Sequence, residues 1–277
     1  MTDALNWATA PVKALRREYA QKRKAHEAFL PRDVQIVSDP LGLRFHPKQI
    51  RSDATVLYFH GGGWITGSPE THKALCAWLA HSWSLPVLAV RYGLAPEHRY
   101  PRQREEARAA LASTPGQIIL AGDSAGMPVA LWAEDAAPTR VVAISGFYGA
   151  FGLTDSESLR RLGPQSDGLT AAAMSRFYRD LGCPPDRLLA NVTSGTAPIL
   201  LMKAGADPLA DDTDHGARIL RAKGRKVDVF DAPGATHGFL HDAGENPEIR
   251  RKMTTMSLWL HEKLPLQADK QGKGRAE

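Results

Sequence analysis

From about residue 33 onward, short apolar runs alternate with stretches whose apolar positions recur at helical spacing. Runs at 34–37 and 41–45, on either side of an Asp39-Pro40 turn signal, predict an opening hairpin. Further runs follow at 55–59, 86–90, 117–121, 140–144, 198–204 and 226–230. They are β-rich or continuously apolar, the pattern of strands buried on both faces. Between them, 70–83, 103–113, 125–134, 212–223 and 247–263 read as helices, the last entered through a capping Asn246 with Pro247 at its first position. This alternation predicts an α/β fold, a mostly parallel sheet with helices on both faces.

Two segments break the rhythm. Residues 1–30 have helical character interrupted at Pro11, and about 150–190 hold a loop followed by a helical run at 170–181. Both are expected to form a small cap over the carboxyl ends of the strands, where open α/β sheets place their ligands. The catalytic core is expected over 31–266, and the polar segment 267–277 is expected to be disordered.

Composition adds limits rather than direction. The chain has 277 residues, 43% of them hydrophobic and 23% charged, enough for one large core. The formal net charge of +5 raises the question of nucleic acid. The excess lies in Arg16, Arg17, Lys22, Arg23 and Lys24, and in Lys270, Lys273 and Arg275, without the interleaved aromatics of a stacking platform. These runs read as a solvated helix face and a frayed terminus, so no nucleic-acid partner is expected. Cys76 and Cys183, far apart and without metal-ligand spacing, fit a reducing compartment. No apolar run of signal-peptide length stands near the start, and no stretch approaches the roughly 20 apolar residues that span a bilayer. A cytoplasmic protein with no membrane partner is expected.

The chemistry begins at Gly122-Asp123-Ser124-Ala125-Gly126, a G-x-S-x-G string set between a buried strand and a helix. A sharp strand-to-helix turn projects a serine Oγ above the sheet, and the helix N-terminus favours negative charge beside it. An ordinary turn serine is the reading for such a string alone; its context makes Ser124 a candidate nucleophile. His60-Gly61-Gly62-Gly63-Trp64 follows the strand at 55–59. Consecutive glycines are conformationally costly, and bare backbone N–H donors are what an oxyanion hole requires. A phosphate loop is the weaker reading, since neither G-x-G-x-x-G nor a G-K-[ST] ending is present. His60, with no metal partner at ligand spacing, is expected to brace the loop together with Gly61.

An acid and then a base should follow such a nucleophile along the chain. Asp207 comes just after the strand at 198–204, and His237 follows the strand at 226–230. Neutral His237 would take the Ser124 proton, and Asp207 would orient the imidazole. Asp211, Asp212 and Asp214 compete for the acid role and His241 for the base. His237 and His241 also have the spacing of a zinc pair, but without the intervening Glu. His98 and His215 read as surface or packing histidines.

Taken together, HGGGW, RYGLAPEHRYP, GDSAG, DPLADD and THGF resemble the hormone-sensitive-lipase-like branch of the α/β hydrolases, bacterial esterases in particular, from about Val56 to His241. The resemblance implies the α/β-hydrolase fold, a triad of Ser124, Asp207 and His237, and an oxyanion hole of the Gly62, Gly63 and Ala125 N–H groups. It implies that residues 91–101 support the active-site floor. Met127 departs from the small residue usual after GDSAG and is expected to narrow or line the acyl pocket. The chain is short for the family, so a reduced cap is expected. The implied function is a serine carboxylesterase for short-chain esters, working through an acyl-enzyme with no cofactor and no metal. A lactone or formamide hydrolase with the same triad is the alternative, and a non-catalytic ligand-binding relative a third reading. The expected partner is a small-molecule ester; a homodimer is compatible with the sequence.

Overall fold

Eight strands, β1 (Val34–Asp39), β2 (Gly42–Pro47), β3 (Thr55–Phe59), β4 (Val87–Val90), β5 (Ile118–Asp123), β6 (Val141–Phe147), β7 (Ile199–Ala204) and β8 (Val227–Ala232), form one sheet in the order β1-β2-β4-β3-β5-β6-β7-β8. The structure is a computed structural model that describes residues 5–190, 192 and 195–264. β1 and β2 form the expected hairpin, and β2 joins β4 antiparallel; every other pairing is parallel. This is the α/β-hydrolase fold read from the sequence.

Parallel neighbours need crossovers, and the helices supply them. α2 (Lys73–Trp83) lies between β3 and β4 in the chain, α3 (Arg102–Ser113) between β4 and β5, and α4 (Gly126–Ala133) between β5 and β6. α7 (Ala210–Ala222) joins β7 to β8, and α8 (Pro247–Lys263) closes the described chain. The Asn246 side chain accepts from Glu248 N at 2.9 Å, the cap expected there.

Side chains alternate across the pleat, so each buried strand feeds two cores. In β5, Ile118 and Leu120 face a core shared with α3, α4 and α7, whereas Ile119 and Ala121 face one shared with α2 and α8. A bidentate ion pair crosses the first layer. Arg225 Nη1 and Nη2 meet the Glu134 carboxylate at 2.8 and 2.9 Å, with both side chains 2% exposed.

Register positions the site. Phe59 pairs with Gly122 at the ends of β3 and β5, so the glycine loop leaves the sheet beside the nucleophile turn. Ala204 pairs with Ala232, so the segments carrying Asp207 and His237 leave β7 and β8 side by side.

The segments outside the sheet differ from expectation in three respects. Pro11 is the N-cap of α1 (Val12–Lys24) and starts a helix instead of interrupting one. The expected loop before α6 (Ala171–Leu181) contains a further helix, α5 (Glu157–Leu162), capped by Ser156, whose Oγ accepts from Leu159 N. The basic run of α1 is not a uniformly solvated face. Arg16 donates to the Ile65 and Ala95 carbonyls and pairs with Glu97, and the Arg23 Nε is buried. Among the described residues no helix is long and apolar enough to cross a membrane. The polar segment 267–277 lies outside the described residues.

Candidate active site

Ser124 sits between β5 and α4 with φ of 49°, a left-handed conformation uncommon for a residue with a Cβ. Backbone bonds hold it there. Its N–H donates to the Phe147 carbonyl at 2.9 Å, and its carbonyl accepts from Met127 N at 3.2 Å and Ala150 N at 3.1 Å. The helix starts hard against β3: a Cβ on Gly126 would lie 2.0 Å from the Phe59 carbonyl oxygen, so only glycine fits.

The Ser124 Oγ lies 2.9 Å from His237 Nε2, and His237 Nδ1 lies 2.8 Å from Asp207 Oδ2. A carboxylate only accepts, so Nδ1 carries the ring proton and Nε2 presents its lone pair to the serine hydroxyl. Asp207 is fully buried, and its other oxygen accepts from Leu209 N at 2.8 Å, which fixes the carboxylate plane. The Tyr148 ring meets the His237 ring edge-on at 4.9 Å.

The competing acids are engaged elsewhere. Asp211 accepts from Ser158 N, Asp212 accepts from Phe151 N and Leu153 N, and Asp214 pairs with Lys203. His241 turns away from His237 into a buried group with His72 and Asp123, so the i, i+4 histidines do not converge. His215 contacts Arg218, and His98 packs against Gly93.

Gly62 and Gly63 have φ of 110° and 61° and line the same cleft as Ser124 and His237. The Gly62 carbonyl accepts from Ile65 N, Thr66 N and Thr66 Oγ1, which closes the turn. Ala125, the N-cap of α4, directly follows Ser124, and its side chain is buried. Gly61 N donates to Asp123 Oδ1 at 2.7 Å, and Tyr58 donates its hydroxyl to the same oxygen at 2.6 Å. His60 donates from Nδ1 to the Gly61 carbonyl at 3.0 Å and stacks on Tyr92 at 4.3 Å; the Tyr92 hydroxyl donates to the His60 carbonyl. Residues 91–101 thus reach the site through Tyr92. Burial, reinforced by nearby His72, lowers the His60 pKa to about 3, so the ring is neutral.

Asp123 and His72 were not foreseen from the sequence. Burial alone would raise the Asp123 pKa; the nearby His72 ring and the hydrogen bonds from Tyr58 and Gly61 outweigh it and bring the value to about 2. His72 Nε2 lies 3.4 Å from Asp123 Oδ1. The donor atoms of His72, Asp123 and His241 lie within 4.8 Å of one another, the arrangement among the described residues that could hold a metal ion.

The cleft above Ser124 has a volume of about 590 Å³. Its walls come from the sheet loops, from the segment carrying Trp7, Tyr19 and Arg23, and from the segment carrying Leu162, Leu169 and Phe177. The two wall segments are tied together: Arg176 of α6 donates to the carbonyls of Trp7 and Ala10 at 3.0 and 2.7 Å. Met127 does not line this cleft. It is fully buried against Gly146 and Gly149 beneath the nucleophile turn, because those glycines leave room on the core side.

Residues 56–241 match a family described as the alpha/beta hydrolase fold. The acetyl esterase of Salmonella typhi is 31% identical over 264 residues, covering 84% of this chain and 82% of that protein. A Pyrobaculum calidifontis esterase superposes with a TM-score of 0.80 at 27% identity, covering 92% of this chain and 94% of that one. The thermophilic carboxylesterase EstE1, from a metagenomic library, gives a TM-score of 0.80 at 26% identity, covering 92% and 98%.

Proposed function

Because the chain belongs to a family of the α/β-hydrolase fold and is a carboxylesterase, we propose that it hydrolyses short-chain esters, acetyl esters foremost, through an acyl-enzyme on Ser124. The observation that carries this reading is the continuous chain of Ser124, His237 and Asp207 at 2.9 and 2.8 Å, set at a cleft that Gly62 and Gly63 also line.

In the first half-reaction His237 Nε2 takes the Ser124 proton as Oγ bonds to the ester carbonyl carbon. The carbonyl oxygen becomes an oxyanion, met by the N–H groups of Gly62, Gly63 and Ala125. As the tetrahedral species collapses, the ester C–O bond breaks, and His237 returns the proton to the departing alkoxide, releasing the alcohol. In the second half water replaces the alcohol: His237 takes a water proton, hydroxide adds to the acyl carbon, and the Ser124 Oγ leaves with that proton. Asp207 holds the ring and stabilises its charged form throughout. No step needs a cofactor.

The short-chain preference is supported by the acetyl esterase relatives and by the walls from α1, α5 and α6, which we read as a small cap. The buried free thiols of Cys76 and Cys183 fit a cytoplasmic setting. The test is a rate series over p-nitrophenyl acetate, butyrate and palmitate, with a lactone and a formanilide beside them. Acetate and butyrate should be turned over fastest, and all turnover should vanish in Ser124→Ala. A folded protein that hydrolyses none of the esters contradicts the reading.

A further inference from the structure

The cleft holds a cation that makes no direct ion pair among the described residues, its nearest influence of opposite charge being Asp123. Arg23 lines it together with Ser124 and His237. Arginine stays charged at all accessible pH values, and its planar fork matches a carboxylate. Yet among the described residues no carboxylate lies within the 4.0 Å of an ion pair with it, and its Nε is buried without a hydrogen-bond partner. The other charged groups at the cleft differ. Lys22 meets Glu18 and Asp167 at 2.7 Å, and His26 lies 3.6 Å from Asp242. Asp123 is occupied by Tyr58, Gly61 and His72.

The position of Arg23 is built. Its guanidinium carbon stands 4.9 Å over the centre of the Tyr19 ring, one helical turn earlier on α1. Its Nη2 would lie 3.4 Å from a Cβ on Gly238, the residue after the base. On the edge of the same Tyr19 ring stands Trp7, whose Nε1 is also buried without a partner and which also lines the cleft. Two donor-bearing side chains thus flank one aromatic ring beside the reacting groups, with no acceptor among the described residues for either buried nitrogen. Buried donors of this kind are costly unless something accepts from them.

We propose that Arg23, with Trp7 beside it, forms an anion subsite, and that the preferred substrates are small esters whose acyl or alcohol part carries a carboxylate. This rests on the esterase reading above and deepens it by naming the substrate class. The chemistry is unchanged: the charged group stays intact and only positions the ester against Ser124.

The test compares charged and neutral twins in both halves of the ester. On the acyl side these are mono-p-nitrophenyl glutarate and p-nitrophenyl methyl glutarate. On the alcohol side they are 4-acetoxybenzoate and its methyl ester. The ratio of kcat/KM for charged over neutral twin should fall about tenfold or more in Arg23→Gln in at least one arm, as expected for loss of a charge-assisted hydrogen bond. It should recover partly in Arg23→Lys, and in the wild type it should fall as salt is raised. A ratio unchanged by Arg23→Gln in both arms and insensitive to salt overturns the subsite. If no ester of either kind is turned over, the esterase reading fails instead. The subsite is then read by calorimetric binding of monomethyl glutarate to Ser124→Ala, with Arg23 intact or replaced by Gln. Equal binding to the two overturns the proposal.

Discussion

The carboxylate of Asp123 accepts the Gly61 N–H at 2.7 Å, so the residue before the nucleophile holds the loop that presents Gly62 and Gly63. The proposed nucleophile and oxyanion donors are therefore parts of one braced unit, closed by the Tyr58 hydroxyl at 2.6 Å and flanked by His72 at 3.4 Å. Asp123→Asn keeps the shape but weakens both bonds. It should lower kcat about 10- to 100-fold with a smaller change in KM, because the loss falls on the transition state. Steady-state kinetics on p-nitrophenyl acetate check this; a change confined to KM contradicts it.

The orienting acid gives a second outcome. Asp207→Asn removes the acceptor that keeps the proton on His237 Nδ1. At neutral pH kcat should drop by about four orders of magnitude, as expected when the base is left in the wrong tautomer. Replacing Asp211, Asp212 or Asp214 by Asn should leave far more activity, since each is engaged away from His237.

Much of this site was legible along the chain because each group sits where a buried strand ends and turn residues begin. The brace was not. Asp123 occupies the variable place in its pentapeptide, and His72 comes from a different crossover. Arg23 does have a sequence signal: Leu15 and Tyr19 are buried on α1, and Arg23 continues their i, i+4 stripe toward the cleft. Met127 could not be placed, since whether its side chain enters the cleft or the core depends on Gly146 of β6 and Gly149 just beyond it. The strand order also lay beyond the sequence pattern, because β3 and β4 exchange places in the sheet.

Acid should destabilise the fold by a defined route. Unfolded, His60 takes up a proton near its ordinary value of 6.5; folded, burial delays this to about 3. Between these values the unfolded chain binds more protons, so stability is lost as pH falls from 6.5 toward 3. Buried His241 acts in the same direction. Urea midpoints taken near neutrality and again in mild acid should show a smaller acid loss for His60→Asn than for the wild type. Equal losses contradict the assignment.

The Glu134–Arg225 pair is a stability element, remote from the chemistry. Arg225→Met leaves a buried carboxylate without its partner and should cost about 3–5 kcal/mol. Combining it with Glu134→Leu removes the stranded charge and should recover a large part of that loss. Denaturant titration of the single and double variants checks this; a double variant no more stable than Arg225→Met contradicts it.

Transfer of the acyl group to Ser124 is the step on which the proposed reaction depends. Its most direct test is peptide mapping by mass spectrometry after treating the folded protein with a fluorophosphonate. One adduct is expected, on Ser124, in the wild type and none in Ser124→Ala. An adduct on another residue, or an unlabelled Ser124 in folded wild-type protein, would contradict it.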